Sequence, residues 1–251
     1  MNKESVLTPS DRVAQFIWQH LWLLVSLYIM TLGVALCVRS SLGSSVISSI
    51  PMAFSVAGAD GLAPALTIGE YTNIMNVILV LAQIAVLRRK FEKVQLFQLV
   101  IGFLFGSLID LNMWLTSMFD YSSLLAQIAA QGIGCTVMAF GIAMEVRCGS
   151  VTMPGEGIQV AVSRVSGMPF AKTKIIIDCT LVALAVAAGY FFWGTWQWSI
   201  IGPGTLFAMI YVGWMVRLIG RRMSWLDRML GYTPGLKRYV YGLARFIYRR
   251  N

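Results

Sequence analysis

Leu32-Gly33-Val34-Ala35-Leu36-Cys37-Val38-Arg39 returns as Phe140-Gly141-Ile142-Ala143-Met144-Glu145-Val146-Arg147, at a constant shift of 108 residues and with Gly, Ala, Val and Arg identical. At the same shift Ser44, Ser48 and Ser55 fall on Thr152, Glu156 and Ser163, so the polar residues of each copy hold matching positions. Further along, Ile101-Gly102 recurs as Ile201-Gly202 at a shift of 100. A repeat of this length in an apolar chain points to a membrane protein made of two related halves, an architecture found in many transporters.

Composition agrees. The 251 residues are 57% hydrophobic and 12% charged, whereas a soluble domain carries about 45–50% apolar and about 25% charged residues. Six apolar stretches, about 21–38, 69–87, 95–116, 123–145, 172–192 and 198–216, are long enough to cross about 30 Å of hydrocarbon at about 1.5 Å per residue. The first is too long for a cleavable signal peptide, and a bulky Leu36 stands before Cys37 where a lipoprotein needs a small residue, so this segment is expected to stay in the mature protein.

The connections divide by charge. Segments 58–67, 117–122 and 193–197 hold no Lys or Arg, while 1–20, 88–94, 164–174 and 217–251 hold 18 of the 20. The positive-inside rule then places both termini in the cytoplasm. This requires that 43–57 and 151–166 do not cross, since otherwise Arg88, Arg89, Lys90 and Lys93 would lie outside. About 15 residues of helix cover only about 22 Å, and both stretches are rich in Ser and Gly, so they are expected as re-entrant or interfacial half-helices. Three crossings per half is an odd number, so the second copy enters upside down. The expected fold is an all-α membrane protein: six transmembrane helices plus two short re-entrant half-helices in an inverted 3+3 repeat. It forms one domain, 1–251, with repeats at about 21–116 and 123–216. Irregular backbone at membrane depth needs protein or water around it, which implies a cavity between the halves.

Residues suited to chemistry are few. Arg39 and Arg147, the two arginines outside the cytoplasmic count, each precede a half-helix, whose free N–H groups favour anions; a paired anion site and snorkelling span ends weigh evenly. Pro154 with Gly155 and Gly157 makes a good helix opening, followed by Glu156, Gln159 and Ser163 at helical spacing, with Thr152 just before. The first copy offers Ser44, Ser45, Ser48, Ser49 and Ser55 without an acid. The candidate substrate-binding set is therefore Arg39, Ser44, Ser48, Arg147, Thr152, Glu156 and Gln159. Acids within spans are costly and turn inward; Asp110, Asp178 and Glu156 are the candidates for proton or ion coupling. Glu145 is a further intramembrane acid, and Asn76 falls opposite Asp178 at a shift of 102, with Asn73 one turn away. Interhelical bonding competes with transport chemistry for each of these.

Other classes are poorly served. No phosphate loop or nucleophile–base pair is present, so no catalytic residue is assigned and an enzyme is not expected. One His and four scattered cysteines (Cys37, Cys135, Cys148 and Cys179) offer no metal site, and no cofactor is called for. The net charge of +9 is concentrated in 217–251, where Arg and Lys alternate with Trp225, Tyr232, Tyr239, Tyr241, Phe246 and Tyr248. That tail reads as an amphipathic cytoplasmic segment on anionic lipids rather than a nucleic-acid arm. The sequence leaves the oligomeric state unknown.

With these features the chain resembles the YczE/YyaS/YitT family of bacterial integral membrane proteins. The resemblance rests on Leu32-Gly33-Val34-Ala35 through Ser41-Leu42-Gly43, on Pro154-Gly155-Glu156-Gly157-Ile158 through Ser163-Arg164-Val165-Ser166-Gly167, and on Ile201-Gly202-Pro203-Gly204-Thr205, covering roughly 25–220. It implies a multi-span protein of the kind described as a transporter without an assigned substrate. The family often carries an acid after a Pro-Trp pair in the first half; Val46 to Ser49 supply none, which leaves Glu156 alone for the acidic role. The reading that follows is a small secondary carrier or facilitator of a small polar or anionic solute. Its rival is a non-transporting accessory protein that binds a lipid or protein partner through the basic tail.

Overall fold

The computed structural model describes residues 9–119, 121–148 and 151–230. Among them run nine α-helices: α1 (Pro9–Arg39), α2 (Val46–Ala59), α3 (Ile68–Leu87), α4 (Phe97–Leu115), α5 (Leu124–Cys148), α6 (Pro154–Ser166), α7 (Phe170–Trp193), α8 (Pro203–Arg222) and α9 (Ser224–Leu230). No strand occurs among the described residues. Six helices, α1, α3, α4, α5, α7 and α8, are long and apolar enough to cross a membrane, and the chain is a multi-pass membrane protein.

The helices fall close to the apolar stretches, and the departures have local causes. α1 begins well before residue 21, because Gln15 and Gln19 are not solvated flanks: their Nε2 groups donate to the Leu230 and Cys148 carbonyls at 2.9 and 2.8 Å. α8 begins at Pro203 rather than at 198, since Pro suits a first helical turn and has no N–H to lose. Gly102 lies inside α4 whereas Gly202 caps α8, so the Ile-Gly echo does not mark equivalent places. Residues 231–251, with most of the basic tail, lie outside the described residues. The part before them is packed inward: Leu226 and Leu230 of α9 are fully buried.

The centre is the crossing of α1 and α5, which pack along much of their length. Glycine makes the close approach possible. A Cβ on Gly33 would collide with the Met138 backbone, and a Cβ on Gly141 would collide with the Met30 backbone. Both pairs carry the shift of 108, since Gly141 answers Gly33 and Met138 answers Met30. Around this pair α4 packs on α1 and α8 on α5, while α6 lies against α3 and α2 against α7. α2 also meets α3, as α6 meets α7.

Cross-bonds group the connections at two ends. At one, Ser44 N–H donates to Ile200 O at 3.0 Å, Trp193 Nε1 to Asp60 Oδ2 at 2.9 Å, and Gly69 N–H to Asp110 Oδ1 at 2.8 Å. The other end holds the Gln15 and Gln19 contacts with Leu230 and Cys148. Residues 58–67 and 193–197 share the first end, and α9 closes the second.

Candidate functional site

The two repeat-paired arginines are held alike. Arg39 Nη2 donates to the Met113 carbonyl at 2.6 Å, and Arg147 Nη2 donates to the Gly220 carbonyl. Met113 and Gly220 are each third from the end of their helices, α4 and α8. A cation on the last free carbonyls is the favourable placement at a helix C-terminus. Arg147 also pairs with Asp227 of α9. Beside Arg39, the Tyr121 phenol is pushed up by burial against the opposing pull of the guanidinium. The arginines thus tie helix ends within their own halves.

Asp110 serves as a cap. Its Oδ1 accepts from Gly69 N–H at 2.8 Å and its Oδ2 from the Thr67 hydroxyl at 2.6 Å, which satisfies the opening turn of α3. Thr67 and Glu70 complete a capping box on the same turn. Asn76 Nδ2 donates to the Gly102 carbonyl at 3.2 Å across α3 and α4. Asn76 and Asp178 are both the ninth residue of their helices, which agrees with their correspondence at a shift of 102.

The short helices open toward each other. Ile47, second in α2, touches the place where Gly155, second in α6, would carry a side chain: an added Cβ would lie 2.9 Å from Ile47 Cδ1. Ile47 and Gly155 differ by 108. Before α2, Ser44 Oγ donates to Ile200 O at 3.2 Å and Ser45 Oγ to Ser48 Oγ at 2.9 Å, all buried. At the far ends the pattern repeats. Ser55 Oγ donates to Leu66 O and Ser163 Oγ to Met168 O, each acceptor standing two residues before the next helix.

The opening of α6 gathers the polar groups. Gln159 Nε2 donates to Asp178 Oδ1 at 2.9 Å, and Lys174 Nζ sits 3.0 Å from Asp178 Oδ2. Gln83 Nε2 donates to the Pro154 carbonyl and to Gln98 Oε1, both at 3.1 Å. The Glu145 carboxyl faces the Met153 backbone N–H and lies within electrostatic reach of Glu156. Gly157 leaves the room, since a Cβ there would stand 2.6 Å from Gln98 Oε1 and 2.7 Å from Gln83 Oε1. Glu145 Oε2, Thr152 Oγ1, Gln83 Oε1, Gln98 Nε2, Gln159 Oε1 and both amide atoms of Gln95 are buried without a protein partner. Buried polar groups are rarely left so.

The candidate set therefore divides. Thr152, Glu156, Gln159 and Asp178 come together at α6; Ser44 and Ser48 lie before and within the first turn of α2; Arg39, Arg147 and Asp110 tie helix ends. Gln83, Gln95 and Gln98 were missed by reading the sequence for charge and hydroxyls. Glutamines in apolar runs, two of them three apart on one helical face, were the available signal. Cys37 and Cys135 face each other unbridged with sulfurs 3.7 Å apart across α1 and α5.

Residues 17–221 match a family described as "Family of unknown function (DUF6198)". The chain belongs to that family. It is also 27% identical over 196 residues to the "Uncharacterized protein YyaS" of Bacillus subtilis (strain 168), covering 77% of this chain and 88% of that protein. This bears out the resemblance to a YyaS-containing family drawn from Leu32–Gly43 and Pro154–Gly167. No solved structure matches the chain.

Proposed function

We propose that the protein is a small secondary carrier or facilitator that moves a small polar solute across a bacterial inner or plasma membrane, with both termini cytoplasmic. In this reading two inverted three-span halves each contribute a re-entrant half-helix, α2 or α6, and the solute binds where the two open. The observation that carries it is the contact between Ile47 and Gly155, repeat-equivalent residues at the starts of the two short helices, beside buried polar atoms without partners. Helix openings facing each other at the interface of inverted repeats present free N–H groups to a solute. Support for the inversion comes from reciprocal contacts: Gly33 on Met138 against Gly141 on Met30, Arg39 on Met113 against Arg147 on Gly220, and Ser55 on Leu66 against Ser163 on Met168. Each member of a pair sits 102 to 108 residues from its counterpart. With both arginines engaged on carbonyls, recognition of the solute in this reading falls to the N–H groups of the two openings and the polar side chains beside them.

The test is flux. Purified protein in liposomes should move solute down a gradient, with candidates taken from metabolites whose distribution changes when the gene is removed. Glu156→Gln keeps shape and hydrogen bonding while removing charge. It should abolish coupled flux or its pH dependence while thermal stability stays within about 1 kcal/mol of wild type. Unchanged flux in both Glu156→Gln and Glu156→Ala would place the site elsewhere.

A further inference from the structure

A pair of thiols in the central crossing stands apart from the polar groups at α2 and α6. Cys37 of α1 and Cys135 of α5 are both 0% exposed, with sulfurs 3.7 Å apart. The backbones beside them already touch. A Cβ on Gly134, the residue before Cys135, would stand 2.9 Å from Cys37 Sγ and 3.0 Å from Cys37 N, and one on Gly33 would stand 2.6 Å from the Gly134 carbonyl. A disulfide needs the sulfurs at about 2.05 Å. Side-chain rotation, rather than approach of the helices, is the movement that closes this gap.

The two sulfurs are not equivalent. Gln131 Nε2 donates to Cys135 Sγ at 3.7 Å, while Cys37 Sγ donates to the Gln131 carbonyl at 4.0 Å. Cys135 thus has an N–H donor ready for charge developing on its sulfur, which suits it to attack first. Gln131 is itself held in place: Ser40 Oγ donates to its Oε1 at 2.7 Å, and its Nε2 also donates to the Gly204 carbonyl at 2.8 Å. Around the sulfurs pack Ala208, Tyr211 and Val212 of α8. Such a cover shuts out bulky or charged reagents and admits small uncharged ones. Two thiolates holding a metal ion there would bring charge into an apolar cluster, whereas a disulfide is neutral.

Position gives the pair a consequence. α1 belongs to the first repeat and α5 to the second, so a bond between them joins the two halves. At the shift of 108, Cys37 answers Glu145 and Cys135 answers Leu27, so the other end of the crossing has no such pair. Cys37 lies in the last turn of α1, at the end that 58–67 and 193–197 share. The carrier reading puts that end outside, where disulfides persist.

We propose that Cys37 and Cys135 are a modification site, oxidised by hydrogen peroxide or a similarly small hydroperoxide to a disulfide that locks α1 to α5. Cys135 Sγ attacks one peroxide oxygen and the O–O bond breaks; the departing oxygen takes the thiol proton and leaves as water. Cys37 Sγ then attacks the Cys135 sulfenic sulfur, the S–S bond forms, the S–O bond breaks, and a second water leaves with the Cys37 proton. The thiols lose two electrons and the peroxide gains them.

Full-length protein in detergent is treated, while folded, with millimolar hydrogen peroxide, quenched with catalase, denatured, blocked with N-ethylmaleimide and mapped by peptide mass. The Cys37 and Cys135 peptides should be joined and separable by dithiothreitol, with Cys148 and Cys179 blocked. The joined residues are 98 apart in sequence, so the melting temperature should rise by about 5 °C or more. Cys37→Ser and Cys135→Ser should each abolish the rise, with alanine in place of serine if either variant is not recovered. A bond through Cys148 or Cys179 instead, sulfinic acid at Cys135 without joined peptides, joining only after denaturation, or joined protein that melts as the reduced form does overturns the proposal. Arrest of transport by the lock rests on the carrier reading, and in liposomes the bonded protein should lose most of its flux and regain it on reduction. Equal flux with the bond in place also overturns the lock. Bond formation with no flux in either state would retire the carrier reading and leave this site standing. Flux with no bond formed would do the reverse.

Discussion

The first half of the molecule closes its last two helices on each other; the second half leaves them apart. α3 and α4 pack closely through Gly69, Gly102 and Gly106, with Asn73 and Asn76 filling the seam and Asp110 capping α3. α7 and α8 have no comparable interface among the described residues. Their outward faces carry Leu184, Phe191, Leu206, Ile210 and Trp214, all exposed, and a small cleft lies between α7 and the turn before α8, lined by Ala185, Gly189, Tyr190, Trp196 and Ile201. Both outer pairs still hold the central helices and the short helices in matching ways. Moving elements come from the sparsely packed parts of a structure, so α7 and α8 are the side expected to open first.

The sharpest way to break the comparison is at the pinned seam. A Cβ on Gly69 would run into the Gly106 carbonyl, and one on Gly106 into the Asn73 side chain and the Gly69 carbonyl. Backbone cannot retreat as a side-chain tip can. Gly69→Ala is therefore expected to cost about 2–4 kcal/mol, and Gly106→Ala a similar amount, because the Gly69 carbonyl stays in its way even if Asn73 rotates. Thermal unfolding in detergent reads both, and near-wild-type melting of Gly69→Ala would mean that the seam is slack.

The central crossing should respond differently, because there the halves are alike. Gly33→Ala meets the Met138 backbone and Gly141→Ala meets the Met30 backbone. Each is expected to cost about 2–3 kcal/mol, and the two costs should agree within about 1 kcal/mol. A large inequality would show that the reciprocity of the crossing is geometric but not energetic.

These positions also mark what the sequence made legible. The shift of 108 at Gly33 and Gly141 was readable because close backbone approach restricts both sites to the same residue. The six apolar helices followed from length alone. The glutamines were not legible, since reading for charge and hydroxyls passes over uncharged amides beside or within apolar runs. Only the fold turns the amides of Gln15, Gln19 and Gln83 onto carbonyls of distant elements. Arg39, Arg147 and Asp110 were legible as intramembrane or border charges, but charge does not reveal which helix end will claim it. The looseness of α7 against α8 had no sequence signal, since lipid-facing and helix-facing surfaces are equally apolar.

Asp110→Asn sharpens the assignment of the pinned half. Asn can still accept one bond, but it cannot accept from both Gly69 N–H and the Thr67 hydroxyl with the same geometry. A loss of about 1 kcal/mol in stability is expected, as for a weakened helix cap, with flux preserved once the protein is folded. Loss of flux at unchanged melting temperature would return Asp110 to the candidates for coupling.

The smallest effect belongs to the loose half. Gly213 and Gly220 lie in α8, and a Cβ at either would meet nothing within 4 Å. Glycine inside a helix costs up to about 1 kcal/mol against alanine through its extra backbone freedom. Gly213→Ala should therefore leave stability unchanged or raise it by up to about 1 kcal/mol, the opposite sign to Gly69→Ala on the other side. Gly220 is the less clean site, because its carbonyl accepts from Arg147. If α8 bends during a transport cycle, the stiffer Gly213→Ala helix should slow flux even as melting rises, whereas a static α8 would show the gain in stability alone. A clear loss of stability would mean that this face is covered, by lipid held in place or by a second copy of the chain, and that the two halves are more equal than they look.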